Sequence, residues 1–344
     1  MFHPMKVHQV TRLTDKAVAI DFEVPEQLKE TFSYQAGQYV TLEETIDGQN
    51  VRRSYSLCTA PSENRLSVGI KQVPNGVFST YANQKILAGS VLSVAAPQGR
   101  FVLESVKDHA SYTGIAAGSG ITPILAIAKE VLFANNSACF YLVYGNKSPK
   151  DEMFAEEIKN LEVEYASRFK VLRSYSQQTV HDARFGRIDD AVLDELEAIS
   201  NGKSERYFLC GPEAMIQSMS SSLEKKGILS DAIQYELFTA TVQEEIPTVS
   251  EENYTMTLIC DDETHTLEGG PGKTLLDVAL QNKVDVPYSC QGGVCSSCIA
   301  RVKTGAAEMA LNQILTDGEI EDGLVLTCQA HPTTPTITVD FDDV

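Results

Sequence analysis

The sequence predicts a multidomain chain in three parts: an antiparallel β-barrel, an α/β unit around a parallel sheet, and a compact α+β unit at the C-terminal end. Three observations lead there. Residues 6–108 hold short alternating runs punctuated by Pro25, Pro61, Pro74 and Pro97, the pattern of antiparallel strands joined by turns. From residue 109 to residue 236 strands alternate with helical patterns, which implies parallel strands and crossover helices. Residues 254–340 return to strands and enclose the densest group of thiols, Cys290, Cys295 and Cys298, with Cys328 further on. At 344 residues the chain is too long for one core, and its length predicts two or three domains. The expected boundaries are 1–108, 109–240, a linker at 241–252, and 253–344.

In the barrel, strands are expected at 18–24, 38–42, 53–57, 66–71 and 91–94. On the third of these stands Arg53-Ser54-Tyr55-Ser56. Strand alternation puts Arg53 and Tyr55 on one face, so a cation and an aromatic plate point the same way, as a ligand with a phosphate and a flat ring requires. Downstream, Gly76-Val77-Phe78-Ser79 offers a glycine for close backbone approach, and backbone N–H groups with the Ser79 hydroxyl could hold a pyrophosphate. Each motif alone is common by chance. In this order and spacing they resemble the ferredoxin-reductase family. That resemblance implies that Tyr55 stacks on an isoalloxazine, that Ser56 hydrogen-bonds near its N5 and takes part in catalysis, and that Arg53 meets a phosphate. It also implies FAD rather than FMN, with Ile70, Lys71, Gly76, Phe78 and Ser79 among the cofactor-binding residues.

In the second part, residues 111–117 read as a buried strand, followed by Gly118-Ser119-Gly120-Ile121-Thr122-Pro123 and a helix over 124–133. Thr122 fits the N-cap and Pro123 the first helical position, so the segment is a strand, a glycine turn and a helix N-terminus that together favour an anion. A proline stands where a dinucleotide fingerprint has its third glycine, and G-x-G-x-x-P is the form found among ferredoxin-reductase relatives. Strands over 140–145, 169–172 and 207–210 complete the sheet. Ligands in such sheets bind beyond the carboxyl ends of the strands, which places Cys210, Gly211 and Pro212 to face a nicotinamide. The resemblance implies the same and makes Cys210 a catalytic candidate beside the flavin. Phosphate-preferring relatives often carry Ser-Arg after the strand that here spans 169–172, where this chain has Ser176-Gln177. Arg173, Arg184 or Arg187 could supply the missing cation, so the dinucleotide is written NAD(P)H. Phe238 is a candidate lid over the flavin, or equally a core residue at a strand end. Residues 241–252, polar, acidic and holding Pro247, read as a linker.

In the third part, Cys290-Gln-Gly-Gly-Val-Cys295-Ser-Ser-Cys298 with the distant Cys328 has the C-x4-C-x2-C spacing of thiolates that hold a [2Fe-2S] cluster. Gly292 and Gly293 let backbone N–H groups turn toward sulfides, and Ser296 and Ser297 keep the loop small. A structural zinc site usually pairs two C-x2-C units and fits less well; a disulfide framework is the other alternative. Residues 254–260 and 264–267 read as a hairpin, 274–281 as a helix, 324–326 and 336–340 as strands. Over its last ninety or so residues the chain resembles a plant-type ferredoxin, which implies a β-grasp fold. Cys58, Cys139, Cys210 and Cys260 are scattered and expected to be reduced core thiols.

Charge and hydropathy limit the partners. A formal net charge of -19 argues against nucleic acid. Residues 251–344 carry sixteen acids against four bases (Lys273, Lys283, Arg301, Lys303), either for solubility or to steer this part toward a basic docking surface. The apolar stretch 112–128 is broken by three glycines and a proline and reads as a strand, turn and helix rather than a membrane span. No signal-peptide pattern opens the chain, so a cytoplasmic setting is expected. The three parts in this order resemble the reductase components of multicomponent oxygenases. The segments around His3–Thr14, Val51–Ser56, Gly186-Arg187-Ile188 and Val325–Pro332 look most like the reductase subunits of bacterial phenylacetyl-CoA epoxidases. The resemblance implies electron flow from NAD(P)H through FAD and [2Fe-2S] to di-iron oxygenase subunits. Ring- or steroid-hydroxylating oxygenases and desaturases use the same parts, and a flavin and iron–sulfur redox sensor is the non-enzymatic alternative.

Overall fold

The computed structural model of the chain describes residues 1–200, 202–238 and 253–344. They form two compact units, Met1–Glu236 and Leu237–Val344. The expected linker, 241–252, lies outside the described residues.

The first unit opens with six antiparallel strands, β1 (Phe2–Thr14), β2 (Ala17–Glu23), β3 (Tyr39–Ile46), β4 (Gln49–Ser56), β5 (Leu66–Lys71) and β6 (Val91–Ala95), in the order β4-β3-β6-β1-β2-β5. A lone bridge from Leu57 to Val68 joins the two sheet edges into a barrel. Alternation sends Met5, Val7, Val18, Ile20, Val40, Leu42, Val68 and Ile70 inward as its core. Strand β1 is not among the expected strands. Only Met5 and Val7 of its thirteen residues are buried, Pro4 interrupts the run, and the pairing with β2 shifts register between Val7 and Gln9, so alternation cannot be followed along it. Gly76–Ser79 supplies the N-cap and first turn of helix α1 (Val77–Gln84). Phe78 and Ala82 anchor that helix to the barrel core.

The rest of this unit is a six-stranded parallel sheet: β7 (Ser111–Ala117), β8 (Cys139–Asn146), β9 (Phe169–Tyr175), β10 (Arg184–Phe185), β11 (Arg206–Cys210) and β12 (Ile233–Glu236), in the order β10-β9-β8-β7-β11-β12. Helices α2 (Ile121–Ala134), α3 (Ala155–Glu164), α4 (Ala191–Ser200) and α5 (Glu213–Lys225) connect them. The chain winds outward from β7 to β10 and then returns to add β11 on the other side, so the strand order reverses between β7 and β11. A ligand crevice is expected at that point. Helix α2 begins three residues earlier than its sequence suggests. A 3-10 turn over Gly118–Gly120 runs directly into it, so Gly120 rather than Thr122 is the N-cap. Pro123 is accommodated because a first-turn N–H has no intrahelical partner to lose. Buried on α2, Lys129 pairs with Glu63 (3.2 Å) and Glu157 and donates to the Cys58 carbonyl (3.1 Å), which ties the sheet layer to the barrel. The pairing is what makes a buried ammonium tolerable.

The second unit has its own core around Met256, Leu258, Leu276, Ala300, Leu326 and Val339. Strands β13 (Tyr254–Cys260), β14 (Glu263–Gly269), β15 (Ile299–Thr304), β16 (Ala307–Met309), β17 (Leu324–Leu326), β18 (Ala330–Pro332) and β19 (Thr336–Asp340) form a mixed sheet β14-β13-β19-β15-β17 and a separate β16–β18 pair. The β13–β14 turn places Asp261 and Asp262 in left-handed backbone, and Asp342 accepts both of their N–H groups (2.9 Å each). Helix α6 (Leu275–Gln281) starts with a reciprocal cap, Thr274 accepting from the Asp277 N–H (3.1 Å) and Asp277 from the Thr274 N–H (3.0 Å). A one-turn helix α7 (Asp317–Glu321) repeats the device with Thr316 and Glu319. Among the described residues no helix is long and apolar enough to cross a membrane.

Candidate functional site

On β4, alternation sorts the side chains as expected. Arg53 is exposed and Tyr55 half-buried on one face, while Arg52 and Ser56 are buried on the other. Arg52 is held inside by Glu43 and lies 4.6 Å over the Phe2 ring, which leaves Arg53 as the cation of the outer face. The Tyr55 ring rests against Phe78 (centroids 5.6 Å apart), a residue only 1% exposed, so the aromatic plate has a fixed backing. Burial pushes the Tyr55 hydroxyl above its ordinary value and keeps it neutral. Beside it the first turn of α1 offers unpaired N–H groups, a geometry that suits a pyrophosphate. The Ser79 hydroxyl is drawn into its own loop, accepting from the Val73 N–H (3.2 Å), and Gly76 is close-packed there, since a Cβ would lie 2.4 Å from the Ser79 Oγ. Ile70 is fully buried and its carbonyl accepts from Asn83 (3.2 Å), so its side chain belongs to the barrel core. Lys71, half-buried and shifted down by burial, ends β5 beside the α/β layer: a Cβ on Gly118 would lie 3.5 Å from its ammonium. The face, the aromatic plate and the helix N-terminus fit a flavin dinucleotide.

Where barrel and sheet meet, Ser56 donates to the carboxylate Oε2 of Glu236 at 2.9 Å, and Glu236 stands directly opposite Cys210 in the β11–β12 ladder. Glu236 is half-buried by surface but hemmed in by protein, and no ion pair holds it among the described residues. Burial, moderated by the Ser56 hydrogen bond, pushes its carboxyl up to about 8. Sequence reasoning missed this residue, because nothing near position 236 shows that its partner is Ser56. The Cys210 thiol is fully buried within the apolar cluster, and burial, with Glu236 second, raises it well above an ordinary thiol. It is therefore a neutral thiol, and the edge that the motif presents is Gly211, packed on Ala117 and Met215. Pro212 caps α5. Gly120 touches the same strand end, for a Cβ there would lie 2.1 Å from the Cys210 carbonyl oxygen.

The sign of the Glu236 shift gives a pH dependence. Its pKa is about 8 folded against an ordinary 4.5, so the native state binds the extra proton. That contribution to stability is complete below pH 4.5 and is lost as pH rises through about 8. Glu236→Gln keeps the neutral amide shape and removes the titration. Thermal midpoints measured across this window should fall for the wild type and stay nearly level for the variant; parallel curves would show that Glu236 ionises normally.

Around the nucleotide turn, Gly118 adopts a left-handed φ of 56°, and the Thr122 hydroxyl donates back to the Ser119 carbonyl (3.0 Å). Thr122 and Pro123 are both buried, so they hold the turn while its backbone faces the crevice. The three arginines weighed as replacements for the absent Ser-Arg cation differ sharply. Arg173 is clamped by Glu152 (3.1 Å) and Glu162 (2.7 Å), and Arg184 by Asp189 (2.8 Å) and Glu195. Arg187 is exposed and makes no ion pair among the described residues. It follows Gly186, whose N–H donates to the Tyr175 carbonyl (3.0 Å), so it sits level with Ser176 and Gln177 at the strand ends.

In the second unit the four thiols converge. Cys290 and Cys295 lie with sulfurs 3.0 Å apart, unbonded, and Cys298 and Cys328 share a hydrogen bond with each other. A hydrogen bond from Cys295 holds Cys290 well below an ordinary thiol, and one from Cys328 lowers Cys298. The Gly292 N–H points at the Cys290 sulfur (3.3 Å). Gly293 needs to be glycine twice over: its φ is 69°, and a Cβ would lie 2.9 Å from the Leu311 carbonyl. Thr327 donates from its N–H (3.0 Å) and hydroxyl (2.9 Å) to the Cys298 carbonyl, and Gln329 bonds both the Gln291 and Cys328 carbonyls, so the distant fourth thiol is pinned to the loop. Four converging thiols with N–H groups aimed at sulfur fit a [2Fe-2S] cluster. The remaining cysteines are free, but Cys139 is only half-buried at the start of β8, so three rather than four are core thiols. Burial pushes Cys58 up to about 12 and Cys260 up to about 11. Phe238, two residues past Glu236, is 40% exposed.

Comparison with known proteins matches each segment. Residues 4–103 match the oxidoreductase FAD-binding domain, residues 115–221 the oxidoreductase NAD-binding domain, and residues 258–333 the 2Fe-2S iron-sulfur cluster binding domain. The chain is 35% identical to one subunit of the 1,2-phenylacetyl-CoA epoxidase of Escherichia coli, over 99% of this chain and 98% of that one. It is 32% identical to the ferredoxin reductase component of 3-ketosteroid-9-alpha-monooxygenase from Rhodococcus rhodochrous, over 98% and 96%. Phthalate dioxygenase reductase, a modular structure for electron transfer from pyridine nucleotides to [2Fe-2S], shares the fold at a TM-score of 0.62 and 22% identity, covering 99% of this chain and 98% of that one.

Proposed function

From the premise that the chain belongs to the family of oxygenase reductases that includes this phenylacetyl-CoA epoxidase component, we propose that its electron acceptor is the oxygenase of a phenylacetyl-CoA epoxidase complex. The chain is an NAD(P)H-dependent oxidoreductase, and its cofactors are FAD and a [2Fe-2S] cluster. FAD takes two electrons from a nicotinamide as hydride and releases them singly, the conversion a one-electron cluster needs. The chain's own residues supply position. Arg53 and the α1 N-terminus hold negative charge, Tyr55 backed by Phe78 fixes a ring plane, and Gly118–Gly120 with Lys71 form a second anion site. Ser56 and Glu236 hold a proton at the barrel–sheet junction, and Cys290, Cys295, Cys298 and Cys328 hold the cluster. We further place the protein in the cytoplasm, acting on protein partners and not on nucleic acid or membrane, a setting in keeping with its net charge of -19 and free thiols.

The observation that carries the choice of partner is the 35% identity spread over 99% of the chain. The similarity to a ketosteroid monooxygenase reductase, 32% over 98%, supports a second reading in which the acceptor is a steroid-hydroxylating oxygenase. Reconstitution decides between them: the purified holoprotein is mixed with each oxygenase, and NAD(P)H-dependent product is measured. Turnover with the phenylacetyl-CoA oxygenase alone supports the first reading; turnover only with the steroid enzyme sinks it.

The dinucleotide preference rests on Arg187. With Arg173 and Arg184 committed to carboxylates, Arg187 is the one of the three arginines still able to meet a 2'-phosphate. In steady-state dye reduction, Arg187→Ala should raise KM for NADPH by about tenfold, the size of one charge-assisted hydrogen bond, and leave NADH within twofold. Equal effects on both dinucleotides would remove Arg187 from the site.

A further inference from the structure

Strand β8 ends in Asn146, whose side chain is 9% exposed, and neither its amide nitrogen nor its carbonyl oxygen has a hydrogen-bond partner among the described residues. A buried amide left so is costly, and an orphaned one needs an explanation. The Tyr144 hydroxyl, two residues back on the same face of β8, lies beside the amide. That hydroxyl already accepts from the Met153 N–H (3.2 Å) and donates toward the Gly118 carbonyl (3.2 Å). It has at most one lone pair left, enough for a single N–H of the amide, and nothing for the carbonyl. Tyr144 also locates the amide, because its hydroxyl touches Gly118, the first residue of the anion-binding turn. Asn146 thus lies in the crevice, one strand over from that turn.

We infer that Asn146 binds a ribose hydroxyl in the adenosine half of NAD(P)H, an inference that rests on the dinucleotide reading of this crevice. The sheet order serves as a ruler. Running β11-β7-β8-β9-β10, successive strands are about 4.8 Å apart, and each carries one feature at its carboxyl end. At β11 stands the Cys210–Pro212 edge beside Ser56 and Glu236, where the nicotinamide must meet a flavin. At β7 the Gly118 turn and the α2 N-terminus take the pyrophosphate. Two strands further out, at β9 and β10, lie Ser176, Gln177 and the uncommitted Arg187. Asn146 falls between the pyrophosphate and that outer edge, the place of the adenosine ribose. Its chemistry agrees: phosphate oxygens only accept, whereas a ribose hydroxyl both donates and accepts, as a free amide does.

The test uses the full-length holoprotein with ADP-ribose and reduced nicotinamide mononucleotide as probes, titrated by calorimetry, together with the thermal midpoint without ligand. Two variants are compared: Asn146→Val, which replaces the amide with a strand-favouring apolar side chain, and Asn146→Asp, which keeps the shape and the acceptors but loses the donors. Both should weaken ADP-ribose by about tenfold and leave the mononucleotide within twofold, while the valine variant holds or raises the thermal midpoint because no orphaned amide remains buried. Unchanged ADP-ribose affinity in both variants overturns the assignment. So does equal weakening of the two probes with a lower midpoint, which would make Asn146 a structural polar group. A wild type that oxidises NADH or NADPH but does not bind ADP-ribose would overturn the adenosine assignment alone; one that oxidises neither would overturn the dinucleotide reading with it.

Discussion

Cys298→Ala is expected to abolish electron delivery to the oxygenase, by at least about a thousandfold, while leaving NAD(P)H-driven reduction of a two-electron dye within about twofold of wild type. The two halves of that expectation have separate causes. Cys298 is 1% exposed, shares a hydrogen bond with Cys328, and its backbone carbonyl takes both bonds from Thr327, so the proposed ligand is also the point to which the fourth thiol is tied. Its removal takes away a ligand and loosens the strand that presents Cys328. The first unit has its own barrel and sheet cores and contributes none of the four thiols, so hydride acceptance there should persist. Visible absorbance gives the readout independent of activity: the cluster bands should vanish and the flavin bands remain. Loss of dye reduction to the same extent would mean that the cluster supports the flavin unit as well, and the assignment of separate entry and exit sites would fail.

The convergence of the thiols could be read from the sequence because Cys290, Cys295 and Cys298 and both glycines lie in one short loop, where spacing alone constrains geometry. The fourth thiol was legible for a related reason, since the apolar run Leu324-Val325-Leu326 forms a strand that pairs with β15 directly after Cys298. The barrel face of Arg53 and Tyr55 followed from strand alternation, which is likewise local. What escaped depends on contacts between distant segments. Glu236 acquires its raised pKa from burial and its partner from a strand 180 residues away in sequence. Asn146 looks like an ordinary loop polar residue until β7, β9 and Tyr144 close around it. The misplaced start of α2 has a different origin: Thr122 and Pro123 form a legitimate capping pattern, but the Gly118–Gly120 turn already supplies helical backbone one step earlier and makes that cap unnecessary. In β1, a bulge and a proline erase the two-residue period.

Gly120→Ala should be the most damaging single methyl that can be added to the nucleotide layer. At this position the backbone is ordinary, with φ of -60° and ψ of -9°, so the cost is one of space and not of conformation. The new Cβ would stand 2.1 Å from the Cys210 carbonyl oxygen, 2.5 Å from its carbon and 3.0 Å from the Gly211 nitrogen. Those atoms are backbone and cannot swing aside as a side chain would. Cys210 is laddered to Ala116 on one side and Glu236 on the other, so moving it displaces β11 against both neighbours. Overpacking of this kind costs about 1–3 kcal/mol in stability. Binding should suffer as well, because the displaced strand end carries Gly211 and Pro212 and is coupled through Glu236 to Ser56. KM for NADH and NADPH should both rise by about tenfold or more, since a loss of about 1.4 kcal/mol of binding already gives that factor. Gly118→Ala separates space from conformation. Its Cβ would meet only the Lys71 ammonium at 3.5 Å, so its penalty is the left-handed backbone, about 1 kcal/mol. If Gly118→Ala proved as harmful to dinucleotide binding as Gly120→Ala, close packing against Cys210 would not be what sets the nicotinamide end of the crevice.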